Sequence, residues 1–280
     1  MLKHYINVLK PRESIMLTFI GACAGFVAAG GVFSWKLLLT AVAVLLGSLG
    51  ANGLTNYLDR RYDALMQRTR RRALPAGYIS PPEKSLPLMV GCTVAGLIIA
   101  WFLHPACFAA GLIGTLAAVV WRKRWTCVFP QGIIASCAPV LIGWLAFRPA
   151  WSVEILLICF LIISWVPLHV WSLMIANRED YINAGLTFFP MSVPANTAVK
   201  WLLPFAFMLA GVSTGLYFTG GFGWIYLGFA VVLGVMVLLA TVRLAISGIS
   251  RDAWRLYKFS SIPYLGLIFL AMCIDVAVMA

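Results

Sequence analysis

Asn52, Asn56, Asp59 and Asp63 carry the chemistry that this sequence offers most plainly. They follow one another at intervals of three or four residues, so a continuous helix would point all of them at one spot. Two carboxylates four residues apart repel each other unless a cation sits between them. A hard divalent ion answers that need: Mg²⁺ takes one or two carboxylates and fills its shell with water and substrate phosphates. Just downstream stand Arg68, Arg70, Arg71 and Arg72, whose guanidinium forks suit phosphate oxygens. Acid for a metal beside base for a phosphate describes a diphosphate site. The plainer reading is a helix end whose aspartates pair with its own arginines while surplus arginines orient the chain. It accounts for the arginines but not for two Asp and two Asn on one face.

A second polar group contains Asn177, Arg178, Glu179, Asp180, Tyr181 and Asn183, and a third is the run Arg122, Lys123 and Arg124. Alone, the second reads as a solvated loop and the third as an orientation marker. Both gain meaning from the elements that must hold them.

Those elements are membrane helices. Of 280 residues, 62% are hydrophobic and 11% charged, with a mean hydropathy of +0.94, a composition that excludes an ordinary soluble enzyme, a disordered chain and a nucleic-acid-binding domain. Apolar runs near the ~20 residues that a spanning helix needs fall at 14–32, 36–57, 86–103, 106–121, 131–147, 152–176, 199–219, 223–245 and 259–279. The expected fold is therefore all-α, a polytopic bundle of nine transmembrane helices forming one domain over 1–280, with long loops at 58–85 and 177–198. An inside N-terminus puts all but two (Lys36 and Arg148) of the 21 basic residues on one side, which predicts N-in and C-out. Most of the net charge of +12 is then a topology signal. Four spans separate the two acidic groups, so both face the cytoplasm and can meet in one cavity.

The remaining acids, Glu13, Glu83, Glu154, Asp252 and Asp275, are scattered near span ends, where a solvated role is the default. The seven cysteines contain no C-x-x-C pair and read as small apolar residues. The charged start followed by an uninterrupted apolar run suits a retained first span rather than a cleaved signal. A prokaryotic plasma membrane is the simplest location.

Six features in order resemble the UbiA superfamily of intramembrane prenyltransferases. They are Lys10, Pro11 and Arg12 before the first span; Asn56, Asp59 and Asp63 followed by Arg68, Thr69, Arg72, Leu74 and Gly77; Arg122 to Arg124; Pro139, Gly143 and Trp144; Pro167, His169 and Trp171; and Asp180, Tyr181, Ala184 and Gly185. The second acidic group lacks the D-x-x-x-D pattern of members acting on simple aromatic rings and is similar instead to the D-Y-x-x-A-G of the haem-modifying branch. Departures are Thr55 where an Asn is usual, Arg61 where an acid is common, Ala73 where a Pro is usual, and Leu186 to Met191.

The resemblance implies Mg²⁺-dependent transfer of a farnesyl group from farnesyl diphosphate to heme B, giving heme O, at a site on the cytoplasmic face of the lipid bilayer. It implies Asp59, Asp63 and Asn56 as metal ligands, Arg68, Arg72 and Lys123 as diphosphate contacts, Arg178 as a further substrate-binding residue, and Asp180 and Tyr181 as completing the pocket. His169, beside Pro167 within an apolar run, is a functional candidate by its depth alone. It would either ligate the haem or position the acceptor, or be an interior histidine bonded to a carbonyl freed by the proline. Haem-modifying or oxidase-assembly proteins are expected downstream. A prenyltransferase with a quinone-precursor or lipid acceptor would share the metal site. A non-catalytic haem carrier would share the basic surface but have no need of the Asp59 and Asp63 pair.

Overall fold

The computed structural model describes residues 2–120 and 128–279. All of the regular structure in these residues is helical. In chain order the α-helices are α1 (Leu2–Val8), α2 (Pro11–Ala28), α3 (Trp35–Leu65), α4 (Leu86–Leu103), α5 (Pro105–Val120), α6 (Gln131–Leu145), α7 (Val153–Ala176), α8 (Arg178–Asn183), α9 (Ala195–Lys200), α10 (Leu202–Thr219), α11 (Trp224–Ser247), α12 (Ser250–Phe259) and α13 (Leu267–Met279). A 3₁₀ turn at Pro82–Ser85 leads into α4, and a π-type turn at Ser260–Gly266 joins α12 to α13.

Among the described residues, six segments are long and apolar enough to cross a membrane: Trp35–Leu65, Pro82–Leu103, Val153–Ala176, Ala195–Thr219, Trp224–Ser247 and Ser250–Met279. The protein is an integral membrane protein. The α5 and α6 helices are apolar but shorter, and α2 begins with the charged pair Arg12 and Glu13. Large apolar side chains such as Phe102, Phe218 and Ile246 are exposed along these helices, as expected of surfaces solvated by lipid tails.

Lipid supplies no hydrophobic drive between helices, so small residues and close contact must bring them together. The crossing of α2 and α6 shows how close that contact is. A Cβ added to Gly143 would stand 1.9 Å from the carbonyl oxygen of Gly21, so any side chain there would force the two helices apart. Pro139 and Pro167 lie inside α6 and α7 without ending them, as membrane helices tolerate.

Two features depart from the pattern of apolar runs. The α3 helix continues beyond the apolar stretch to Leu65, and this extra length is what carries Asp59 and Asp63. The last element starts earlier than expected, at Ser250. Its first part, α12, is amphipathic, burying Asp252, Ala253 and Leu256 while Arg251, Arg255 and Lys258 face outward. The bend between its parts falls at Ser261, whose ψ of −122° is not helical.

Candidate functional site

The end of α3 buries its polar residues. Asp59 is 4% and Asp63 1% exposed, a position that is costly for an acid unless partners offset it. Asp63 Oδ2 accepts a 2.9 Å bond from Arg72 Nη1, and its backbone carbonyl accepts from the Thr69 hydroxyl at 2.9 Å. The turn at 66–72 thus folds the arginine run back over the helix that precedes it. Asn56 Nδ2 donates to the Val8 carbonyl at 2.6 Å and so holds α1 against α3. Its Oδ1 is buried with no hydrogen-bond partner. Asn52 and Thr55 are occupied differently: Asn52 Nδ2 donates to Ser14 Oγ at 3.0 Å, and the Thr55 hydroxyl to the Asn52 carbonyl.

Two cavities open at this end of the bundle. One, of about 500 Å³, is polar and includes His4, Lys10, Arg12, Asn56, Asp63, Arg71 and Arg72 in its lining. The other, of about 400 Å³, runs among α3 to α7 and is lined mainly by small apolar residues, with Asn52, Thr55 and Lys10 among its polar ones. Lys10 lines both. It adopts φ 49° and ψ 63°, a left-handed conformation rare for a residue with a side chain, at the joint between α1 and α2. The four residues singled out on α3 are therefore divided: Asn56 and Asp63 face the polar cavity, Asn52 faces the apolar one, and the buried Asp59 lines neither.

The second acidic group reaches the first. Asp180 Oδ1 and Oδ2 accept the backbone N–H groups of Gln67 and Arg68 at 3.1 and 3.0 Å, which fixes the start of the arginine turn. Tyr181 is buried. Arg178 points elsewhere. Its guanidinium donates to the carbonyls of Pro190, Met191 and Val193 at 2.9, 3.1 and 2.6 Å, stapling the loop after α8. Arg68 is exposed. Lys123, with its neighbours Arg122 and Arg124, lies outside the described residues.

His169 is packed on both sides. Its ring stacks on Trp165 at 4.5 Å and lies 4.6 Å from Tyr257, and Nδ1 sits 3.2 Å from Ser260 Oγ. These partners tie α7 to the bend of the last element, the arrangement of an interior histidine.

Two acids expected to be solvated are buried. Asp252 is 6% exposed and bonded to Arg255, Arg243 and Ser247. Asp275 is 2% exposed and accepts the backbone N–H groups of Gly223 and Tyr226. It supplies from α13 the acceptors that the first turn of α11 lacks. Nothing in the local sequence signals that partnership, because it joins residues some fifty positions apart.

The donor set fits a hard divalent cation. Among the described residues no three His, Cys, Asp or Glu side chains gather as a protein-only metal cage. Mg²⁺ does not require one, since the Asp63 carboxylate and the Asn56 amide oxygen that face the polar cavity leave room for water and phosphate, and the unpartnered Asn56 Oδ1 is an oxygen donor suited to such an ion. Of the wall residues of the polar cavity, Arg12 belongs to the Lys10, Pro11 and Arg12 feature of the resemblance, whereas nothing in the sequence singles out His4.

Residues 15–262 match the model of the UbiA prenyltransferase family. A protoheme IX farnesyltransferase of Desulforudis audaxviator (strain MP104C) is 38% identical over 284 residues, covering 98% of this chain and 88% of that one. Another, of Symbiobacterium thermophilum, is 36% identical over 285 residues, covering 98% and 94%. Among solved structures, a UbiA homolog from Archaeoglobus fulgidus bound to DMAPP and Mg²⁺ superposes with a TM-score of 0.74, covering 99% of this chain and 100% of that one, at 15% identity. That likeness is one of fold.

Proposed function

The chain belongs to the UbiA prenyltransferase family, and from that membership we propose that it transfers the farnesyl group of farnesyl diphosphate to protoheme IX (heme B), giving heme O. The observation that carries this reading is the junction at Lys10, where a polar cavity holding Asn56, Asp63 and Arg72 adjoins an apolar one. A prenyl diphosphate is a molecule of that shape, with a highly charged head on an oily tail.

In this reading Asp59, Asp63 and Asn56 would hold Mg²⁺, which when bound would neutralise charge on the diphosphate and so favour cleavage of the allylic C–O bond. Arg68, Arg72 and Lys123 bind the diphosphate oxygens, and Lys10, Arg12 and Arg71 add positive charge around them. These donors are most useful where negative charge grows as the diphosphate leaves. Asp180 holds the N–H groups of Gln67 and Arg68, so that the arginine turn is in place before substrate arrives. Tyr181 closes the pocket beside it, and Arg178 keeps the following loop in register. The tail lies in the apolar cavity, where the farnesyl cation is kept from water until a vinyl group of the haem adds to its C1. A C–C bond forms there, the positive charge passes to the vinyl-derived carbon, and a water oxygen adds with loss of a proton.

The topology is nine spans, made by α2 to α7, α10, α11 and the paired α12 and α13, with the N-terminus inside and the C-terminus outside. Its support is the confinement of basic residues to one set of helix ends. The site then opens to the cytoplasmic side of a plasma membrane, within a single domain, and its product passes to haem-modifying or oxidase-assembly proteins.

The test is a Mg²⁺-dependent assay of the protein in membranes with protoheme IX and farnesyl diphosphate, read by product mass. A farnesylated, hydrated haem is expected. If aromatic or lipid acceptors are prenylated while haem is not, the acceptor assignment is wrong.

A further inference from the structure

The apolar cavity has a measurable depth along α3, and one lining residue differs from its neighbours. Gly47 lies nine positions before Asn56, ~14 Å along a helix that rises about 1.5 Å per residue. Asn56, with its unpartnered oxygen, marks the head end. A farnesyl chain has twelve main-chain carbons, and at about 1.5 Å per C–C bond its extended zigzag spans roughly 14 Å, whereas a geranyl chain spans roughly 9 Å. The last isoprene unit of a fifteen-carbon donor therefore falls near Gly47, and a ten-carbon donor ends about a turn short of it, near Ala51.

Two other glycines that line this cavity, Gly96 and Gly114, are explained by helix contact. A Cβ on Gly96 of α4 would stand 2.5 Å from the backbone nitrogen of Gly47 and 2.8 Å from the Ala43 carbonyl oxygen; one on Gly114 would stand 2.3 Å from Ala138 Cβ. Gly47 has no such reason to lack a side chain. A Cβ added there would meet no heavy atom within 4 Å, although the residue lines the cavity. Glycine within a helix costs about 0.5–1 kcal/mol relative to alanine, and neither packing nor a turn at position 47 accounts for that cost.

We propose that Gly47 sets the length of the prenyl chain, its missing side chain leaving space for the third isoprene unit. The inference rests on the proposed placement of the donor, head at Asn56 and tail in the apolar cavity. Bulk at 47 shortens the usable cavity without touching the head group, so selectivity between donors changes while the chemistry of ionisation does not. Val44, one turn deeper and also in the lining, forms the wall beyond.

The test is a competition between geranyl, farnesyl and geranylgeranyl diphosphates at equal concentration, with the purified full chain in lipid nanodiscs, protoheme IX and Mg²⁺, the products being weighed by mass spectrometry. The native protein is expected to favour farnesyl. Gly47→Leu should move the geranyl-to-farnesyl product ratio by roughly tenfold or more, the scale on which a tight apolar pocket discriminates, with Gly47→Ala in between and the melting temperature held. An unchanged ratio in a folded Gly47→Leu protein overturns the proposal, as does a parallel loss of both donors. If Gly47→Leu does not fold, Val44→Ala decides: a gain in geranylgeranyl use supports the ruler, and no change overturns it. No farnesylated haem from the native protein would sink the functional reading itself; native farnesylation with unaltered selectivity in the variants sinks this inference alone.

Discussion

Asp63 and Asp275 are both almost wholly buried in a membrane protein, yet their surroundings are opposite in kind. Asp275 accepts two backbone N–H groups at the start of α11, those of Gly223 and Tyr226, one on each oxygen, and it lines neither the polar nor the apolar cavity. Asp63 faces a cavity, shares its wall with an amide oxygen that lacks a partner, and is held by an arginine that lines the same space. Burial alone does not separate a structural acid from a functional one. What separates them is whether the carboxylate faces a cavity shared with other polar groups or only the backbone of a neighbouring helix.

The sharpest way to break this comparison is to remove the acids of α3. Asp59→Ala combined with Asp63→Ala should lower farnesyl transfer by roughly 10³-fold, since charge stabilisation of a departing group is worth several kcal/mol. Folding should survive, as measured by the melting temperature of the detergent-solubilised protein. Turnover that persists in the double variant would remove the metal site from the mechanism. Asn56→Leu should act more mildly, raising the Mg²⁺ concentration for half-maximal rate by roughly 10–100-fold, the scale typical of groups that tune a metal site. A fall in rate with no change in metal requirement would mean that Asn56 serves only to hold α1 through Val8.

The other side of the comparison predicts a change in stability rather than in rate. Asp275→Ala leaves the buried N–H of Tyr226 and the part-buried N–H of Gly223 without acceptors, which costs about 1–3 kcal/mol. The melting temperature should drop, while kcat per folded molecule stays within error of the native value. A rate defect in correctly folded Asp275→Ala would contradict the assignment of this acid to architecture.

The same contrast explains what could be read in advance. Apolar runs fixed the helical class, because a bilayer requires about 20 apolar residues per crossing whatever the tertiary contacts are. The acidic face of α3 was legible because its spacing is local and the helix carries it past the apolar stretch. Arg178 and Asp275 were not legible. Arg178 is drawn to three carbonyls of a loop that ends fifteen residues later, and Asp275 to a helix start brought beside it only by the fold. Sequence spacing reports on one helix face; it says nothing of a backbone group waiting elsewhere in the bundle. The division of Asn52 from Asn56 between two cavities had the same cause, since it depends on how α1 and α2 pack on α3.

His169 tests the comparison where it is finest. By depth it looks functional, and by contacts it is structural: an imidazole held between Trp165 and Tyr257 with Nδ1 beside the Ser260 hydroxyl. If the contacts decide, as they do for Asp275, His169→Phe should keep the ring stacking and lose one hydrogen bond, a stability cost of about 0.5–1.5 kcal/mol. The rate should change by less than a few-fold. Ser260→Ala should produce a similar loss, and combining the two should cost little more than either alone, because both remove the same bond. If His169→Phe instead abolishes haem farnesylation at an unchanged melting temperature while Ser260→Ala does not, the imidazole meets the acceptor during the reaction, and depth rather than partners identifies it.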